Sequence, residues 1–174
     1  MTGGLHRPVD VRTLSGKGRR ETVVADARER EALAEANGAV SVESFEAEVL
    51  VAPWNEDGVR VTGTVRATAV QTCVVTLEPV KTIVDEPVEL VLVPDGSSEV
   101  SGDASGELVI DAEGDDPPDT FVPPMVDIGA IAAEFFALGL DPYPRAPDAS
   151  LPTNAADERA SPFAALRALK EGSN

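Results

Sequence analysis

Alternating apolar and polar residues run through the middle of the chain and predict long β-strands. Residues 45–51 place apolar side chains on one side and Glu46 and Glu48 on the other, and residues 59–69 alternate small apolar residues with Arg or Thr. Such a period of two is typical of half-buried strands in an antiparallel sheet. A third strand is predicted at residues 82–93, with one face formed by Val84, Val88, Leu90 and Leu92.

A first helix is predicted from Ala27 to Asn37, a segment rich in strong helix formers. Asp26 precedes it, and its carboxylate can accept hydrogen bonds from the amides of the first turn. Gly38 follows the segment and ends the helix, because glycine adopts positive φ without strain.

A second helix is predicted from residue 128 to about residue 138, with Asp127 as its cap and Gly139 after it. An apolar stripe at helical spacing should pack this helix on the sheet. The stripe consists of Ile128, Ile131, Phe135 and Leu138, and Phe136 widens it.

The two ends of the chain are less regular. Residues 7–24 hold two short apolar runs separated by a basic cluster, which predicts a loose N-terminal hairpin. Residues 142–160 are rich in Pro, Ala, Asp and Ser and are typical of a linker. Ser161 and Pro162 then begin a last short helix, whose apolar side consists of Phe163, Leu166 and Leu169.

Together these elements predict an α+β fold in one domain, with an antiparallel sheet of about four to six strands and one or two packed helices. A proline-rich C-terminal tail ending in a short helix should follow. We divide the chain into an N-terminal hairpin and helix (1–40), a sheet core (41–141), a linker (142–160) and a C-terminal helix (161–170). The core is expected to contain an irregular acidic loop (94–124), with a short edge strand at 108–110, and a helix at 127–139.

Charge is distributed very unevenly along the chain. The formal net charge is −17, and residues 82–142 contain fifteen carboxylates but no lysine or arginine. This region therefore supplies nearly all of the net charge. A field of this sign repels phosphate backbones and attracts basic proteins.

The small numbers of cysteine and histidine residues exclude several classes of site. Cys73 is the single cysteine, so the chain can form neither an internal disulfide nor a multi-cysteine zinc site. His6 is the single histidine, which excludes a two-histidine metal site. No apolar run has the length of a membrane helix, and the first residues do not resemble a secretory signal. We expect a cytoplasmic protein with no cofactor and no bound metal.

The order of several segments is characteristic. The strand Val59–Thr72 is followed by CVVTLEPV (73–80), the acidic loop, a segment from VDIGAIAAE (126–134) to LGLDPYP (138–144), and SPFAALRAL (161–169). Over residues 40–170 this order resembles the YceD family, also called large ribosomal RNA subunit accumulation proteins. The resemblance implies a role in the accumulation of large-subunit (23S) ribosomal RNA, hence in ribosome biogenesis, and it supplies no catalytic residues. Many relatives carry two cysteines where this chain has Cys73 and Thr76, so a paired metal or redox function is not expected here.

We therefore predict a non-enzymatic factor whose acidic surface binds a basic ribosomal protein or a large-subunit precursor. Several ion pairs acting together raise the rate of association. The simpler interpretations are a solvated loop and, for Glu134, a solvated position or an ion pair with Arg60 or Arg66. The candidate partner-binding residues are Asp111, Glu113, Asp115, Asp116, Asp119 and Glu134.

Direct binding to ribosomal RNA is the alternative prediction, through a basic N-terminal cluster of Arg12, Lys17, Arg19 and Arg20. RNA-binding modules usually combine such charge with aromatic stacking platforms. The first 44 residues contain no aromatic side chain, and a solvated loop is the simpler interpretation of the cluster.

Catalysis has little support in the sequence. A hydrolytic enzyme that uses paired carboxylates would need a nucleophile–base pair, a phosphate loop or a metal cluster, and none of these is present as a motif. Cys73 lies among apolar residues, which favours a buried structural cysteine over a reactive thiol or a metal ligand.

Overall fold

The computed structural model describes residues 4–97 and 118–150 of the chain. The predicted edge strand at 108–110 and the predicted C-terminal helix at 161–170 lie outside these ranges. The strands are β1 (Pro8–Asp10), β2 (Arg19–Val24), β3 (Ser41–Trp54), β4 (Gly58–Thr72), β5 (Pro79–Pro94), β6 (Asp119–Phe121) and β7 (Met125–Asp127). The helices are α1 (Ala27–Ala36) and α2 (Ile128–Leu138), with one turn of 3-10 helix at Val11–Thr13.

The main sheet has five strands in the order β2-β3-β4-β5-β6, which confirms the α+β prediction. Strands β2 to β5 are antiparallel neighbours, and β6 joins β5 in parallel along Leu92–Pro94. The end of the acidic loop was expected to be irregular, and this expectation is wrong for Asp119–Phe121. Pairing with β5 orders these residues, and such long-range pairing cannot be deduced from local composition.

The predicted N-terminal hairpin is also wrong, because β1 and β2 belong to different sheets. β1 pairs with β7, opposing Val9 to Val126, and β2 pairs with β3, opposing Val23 to Ala47. Val9 and Val23 are both almost completely buried. Each short strand therefore buries its valine against a distant partner in the sequence instead of its neighbour.

The predicted alternation places the core on one face of the main sheet. α1 packs on β3, and α2 packs on β4 and β5. The opposite face is exposed and charged: Arg66 there lies 3.7 Å from Glu48 and 3.4 Å from Asp85. The buried face includes Phe45, Ala47, Val49, Val51, Val61, Val65, Val84, Val88 and Leu92.

The buried side of α2 differs from the predicted stripe. Ile128, Ala132 and Phe136, spaced four residues apart, are buried, whereas Leu138 is 72% exposed. The ring of Phe136 meets that of Phe45 edge-to-face, with centroids 5.7 Å apart. Phe136 is therefore the main anchor of the helix, and Leu138 is wrong as a core residue.

Part of the predicted linker contacts the folded domain. The amide of Val74, in the turn after β4, donates to the carbonyl of Pro144 over 2.9 Å, and Pro144 is buried. Gln71 Nε2 donates to the carbonyl of Asp141 over 2.9 Å. The chain that follows α2 is thus held against the end of β4.

The outer side of β5 is largely open in the part of the chain that the structure describes. Only β6 pairs there, over three residues of a strand that runs from Pro79 to Pro94. Pro87 interrupts the middle of this strand, which is compatible with an edge position.

Two large apolar residues in the last turn of α2 should respond very differently to truncation. We expect Phe136→Ala to lower the free energy of unfolding by about 3–5 kcal/mol, because it empties a buried aromatic site. Leu138→Ala, a matched control on the same helix, should change it by less than about 0.5 kcal/mol. Urea unfolding monitored by circular dichroism measures both, and equal effects would contradict the observed orientation of α2.

Candidate functional site

Two acidic residues that the structure describes, Asp95 and Asp119, lie at one corner of the main sheet. Asp119 lies in β6 opposite Leu92, and the amide of Asp95 donates to the carbonyl of Phe121 over 2.9 Å. Asp95 and Asp119 are both exposed. Because β6 runs parallel to β5, residue 97 lies beyond the end of this pairing and residue 118 lies before its start.

The sequence between those two points carries seven more carboxylates and no lysine or arginine. We call Asp95, Asp119 and these seven residues the acidic corner. All seven lie outside the described residues, and four of them are candidate partner-binding residues: Asp111, Glu113, Asp115 and Asp116.

Glu134 lies elsewhere, exposed on α2 beside a groove shared with α1. The expected ion pair with Arg60 or Arg66 is not formed. Both arginines project from the face of the sheet opposite α2, where Arg66 contacts Glu48 and Asp85. The structure thus separates Glu134 from Asp119, which the sequence had placed in one candidate set.

Asp127 caps α2 as predicted, and it also binds the N-terminal segment. Its Oδ1 accepts from the amides of Gly129 (3.0 Å) and Ala130 (3.3 Å), and from the amide of Arg7 (2.8 Å). Its Oδ2 contacts Nδ1 of His6. Burial by itself would raise the pKa of Asp127, but the Arg7 amide, His6 and the helix amides outweigh burial and leave that pKa lowered.

Arg7 extends this network to α1. Its guanidinium donates to both carboxylate oxygens of Glu29, over 2.8 and 3.0 Å. Glu29 also accepts from the amide of Asp26, and Asp26 accepts from the amide of Glu29, each over 2.9 Å, which forms a capping box. The hydrogen bond from Arg7 is the main reason why the pKa of Glu29 is lowered. Sequence reasoning missed Arg7 and Glu29, although the spacing of Asp26 and Glu29 was a visible signal.

The close contact between the N-terminal segment and α2 requires Gly129. A Cβ atom at this position would lie 2.6 Å from the carbonyl oxygen of Leu5 and 2.9 Å from the amide nitrogen of Arg7. The amide of Ile128 donates to the carbonyl of Arg7 over 3.0 Å. The segment before β1 therefore runs directly over the first turn of α2.

The basic cluster is partly neutralised within the chain. Arg12 contacts Asp10 over 2.6 Å, and Arg19 contacts Glu21. Lys17 and Arg20 are exposed, and neither forms an ion pair within residues 4–97 and 118–150. Two of the four predicted RNA-binding cations thus already have carboxylate partners.

Cys73 is buried in the turn between β4 and β5, as expected for a structural cysteine. Its Sγ accepts from the amides of Val75, Thr76 and Ala146, each over 3.4 Å. The Thr76 side chain is the largest influence on the thiol, and together with these amides it lowers the pKa of Cys73 from 9.0 to about 6, although burial opposes the shift. Thr76 is therefore the main residue that stabilises the thiolate.

The described residues contain neither a candidate metal site nor a helix that could span a membrane. No group of three or more His, Cys, Asp or Glu side chains in those ranges could hold a metal ion. Neither α1 nor α2 is long and apolar enough to cross a membrane.

Removal of the Asp127 carboxylate should destabilise the fold. We expect Asp127→Ala to lower the free energy of unfolding by about 2 kcal/mol at neutral pH, the upper end for a helix cap, because the Arg7 amide loses its acceptor too. Since folding lowers this pKa, the stabilisation is complete above the unfolded value of about 3.9 and is lost as pH falls through the folded value. Urea unfolding at neutral pH and below about pH 3 measures the effect. The exposed control Asp85→Ala should have little effect, and an equal loss in both variants would contradict the network.

Thr76→Val should raise the pKa of Cys73 above the wild-type value of about 6, because the variant loses the hydroxyl that stabilises the thiolate. The ultraviolet absorbance of the thiolate, followed against pH, measures this change. The neighbouring exposed residue provides the control Thr72→Val, which should leave the titration unchanged.

The same lowered pKa has a consequence for stability. The contribution of the Cys73 thiolate to the free energy of unfolding should be present in full above the ordinary thiol pKa of 9.0. It should disappear as pH falls through the folded value of about 6. Despite the thiolate, burial should keep labelling by a thiol reagent slow in the native protein. Rapid stoichiometric labelling would contradict a structural role.

Comparison with known proteins gives one match. The family model described as "Large ribosomal RNA subunit accumulation protein YceD" matches residues 61–170, which is well over half of the chain. No curated protein matches, and no solved structure matches. The matched range contains most of β4, all of β5, the acidic corner and α2, so the chain belongs to the YceD family.

Proposed function

We propose that this protein supports the accumulation of large-subunit ribosomal RNA as a non-enzymatic binding factor. Its acidic corner contacts a basic ribosomal protein or a large-subunit precursor particle. The family match supports the role in ribosome biogenesis. The partner and the contact surface are inferred from charge and position.

The observation that carries the proposal is the concentration of uncompensated negative charge at the acidic corner. Asp95 and Asp119 are exposed, and neither forms an ion pair with any residue that the structure describes. Seven more carboxylates lie between them in sequence, without one basic residue. A cluster of one sign raises the encounter rate with an oppositely charged partner.

Elsewhere in the described residues, many cations are engaged by carboxylates of the same chain. Lys81 Nζ lies 2.7 Å from Glu43, and Arg7 lies 2.8 Å from Glu29. Arg12, Arg19 and Arg66 also have acidic partners. The contrast between these paired cations and the unpaired carboxylates of Asp95 and Asp119 favours a basic protein over a nucleic acid as the partner.

Direct binding to ribosomal RNA is the second candidate. It is supported by Lys17 and Arg20, which are exposed beside the paired residues Arg12 and Arg19. Two unpaired cations in this cluster are few for a phosphate-binding surface, because affinity for nucleic acid scales with the number of phosphates neutralised.

Affinity capture of the full chain from cells, with and without nuclease, separates the two candidates. We expect ribosomal proteins of the large subunit to remain bound after nuclease treatment. A variant with five neutralised carboxylates should retain roughly tenfold less of them, and salt should weaken wild-type binding steeply. Its substitutions are Asp111→Asn, Glu113→Gln, Asp115→Asn, Asp116→Asn and Asp119→Asn.

A charge-matched control neutralises five exposed carboxylates outside the acidic corner. It should bind like the wild-type protein. Its substitutions are Glu46→Gln, Glu48→Gln, Glu56→Gln, Asp57→Asn and Asp85→Asn. Loss of all partners after nuclease, together with loss in a Lys17→Ala/Arg20→Ala variant, would overturn the proposal in favour of RNA binding.

A further inference from the structure

A groove between α1 and α2 is lined mainly by small apolar side chains and has a volume of about 640 Å³. Leu33 and Leu5 close its floor and are almost completely buried. Alanines form most of its walls. Because alanine side chains are short, the space between α1 and α2 can hold larger side chains. The apolar lining consists of Leu5, Ala32, Leu33, Ala36, Ala133 and Ala137.

The rim of the groove is acidic. Glu35 of α1 and Glu134 of α2 line it, and both are exposed. Within the described ranges neither carboxylate forms an ion pair. A complementary occupant would therefore present large apolar side chains flanked by positive charge.

We propose that this groove is the docking site of residues 161–170 of the same chain. Their sequence, SPFAALRALK, predicts a short helix with Phe163, Leu166 and Leu169 on its apolar side. Arg167 and Lys170 follow Phe163 and Leu166 by four residues each, so on a helix they lie beside that side. An amphipathic helix with this pattern suits an apolar groove with an acidic rim.

The segment that follows α2 also passes beside this groove. Asn37 and Ala137 line both the groove and a neighbouring recess whose other walls include Asp141, Pro142 and Pro144. The segment after α2 is thus held next to the groove before the chain continues beyond Ser150. Residues 151–160 can span at most about 35 Å when fully extended, roughly the width of a small domain, so the C-terminal segment can reach the groove.

Docking would have a direct consequence for the surface of the protein. Arg167 or Lys170 would neutralise Glu134, and the apolar lining would be covered. Glu134 would then serve the protein's own C-terminal segment and would not belong to the surface that a basic partner contacts. This inference is independent of the proposed function, because it concerns a different face of the molecule.

Hydrogen exchange of the full-length chain, read by mass spectrometry, tests the proposal. We expect amides in residues 163–170 to exchange at least roughly tenfold more slowly than in an unstructured peptide, independently of protein concentration. Leu166→Asp should abolish this protection and should accelerate exchange in the facing residues of α1 and α2. Ala168→Asp introduces the same charge on the opposite side of the predicted helix and should preserve the protection.

A second pair of variants addresses the groove itself. Ala137→Glu places a carboxylate in the groove and should also abolish protection of residues 163–170. Ala130→Glu places the same group at another exposed position of α2, outside the groove, and should not. Circular dichroism identifies any variant that has lost its fold. In that case the other pair of variants tests whether the segment docks in the groove.

Three results would overturn the proposal. The first is the absence of protection in residues 163–170 of the wild-type protein. The second is protection that survives Ala137→Glu. The third is protection that rises with protein concentration, which would identify a second copy of the chain as the occupant.

Discussion

The carboxylate of Asp127 connects parts of the protein that are 120 residues apart in the sequence. It caps α2 and simultaneously accepts the amide of Arg7, whose guanidinium binds Glu29 at the start of α1. Both helices are therefore positioned through one N-terminal segment. The separation of α1 and α2, and hence the width of the groove between them, depends on this set of hydrogen bonds.

The period of apolar residues was sufficient to predict the three long strands, and Asp26 and Asp127 were sufficient to predict the caps of both helices. These features depend only on residues that are close together in the sequence. The elements that the apolar period did not predict depend on distant partners. The pairing of β1 with β7 and the addition of β6 to β5 join segments separated by many residues. The side of α2 that is buried was misjudged for a related reason: Leu138 fits a helical stripe, but Phe136 is the residue that meets Phe45.

For the candidate site, too, composition could be read from the sequence, whereas the spatial arrangement of the residues could not. The excess of carboxylates is visible in the sequence, and the structure adds the parallel pairing of β6 with the end of β5, which brings Asp119 and Asp95 to the same edge of the sheet. Glu134 belongs to the same acidic stretch, yet its helix carries it to a different surface. Arg7 could not be recognised as important from sequence, since its partners come from two separate elements. The environment of Cys73 was predicted as apolar, whereas the amides that stabilise its thiolate come from the turn and from Ala146.

The long strand β5 has an outer edge that β6 covers only along Leu92–Pro94, as far as the described residues show. Exposed sheet edges can recruit strands from other molecules and so initiate aggregation. Pro79 and Pro87 supply no amide hydrogen for such pairing, and Lys81 and Glu89 add charge along the same strand. These residues make the described part of the edge a poor template for intermolecular sheets.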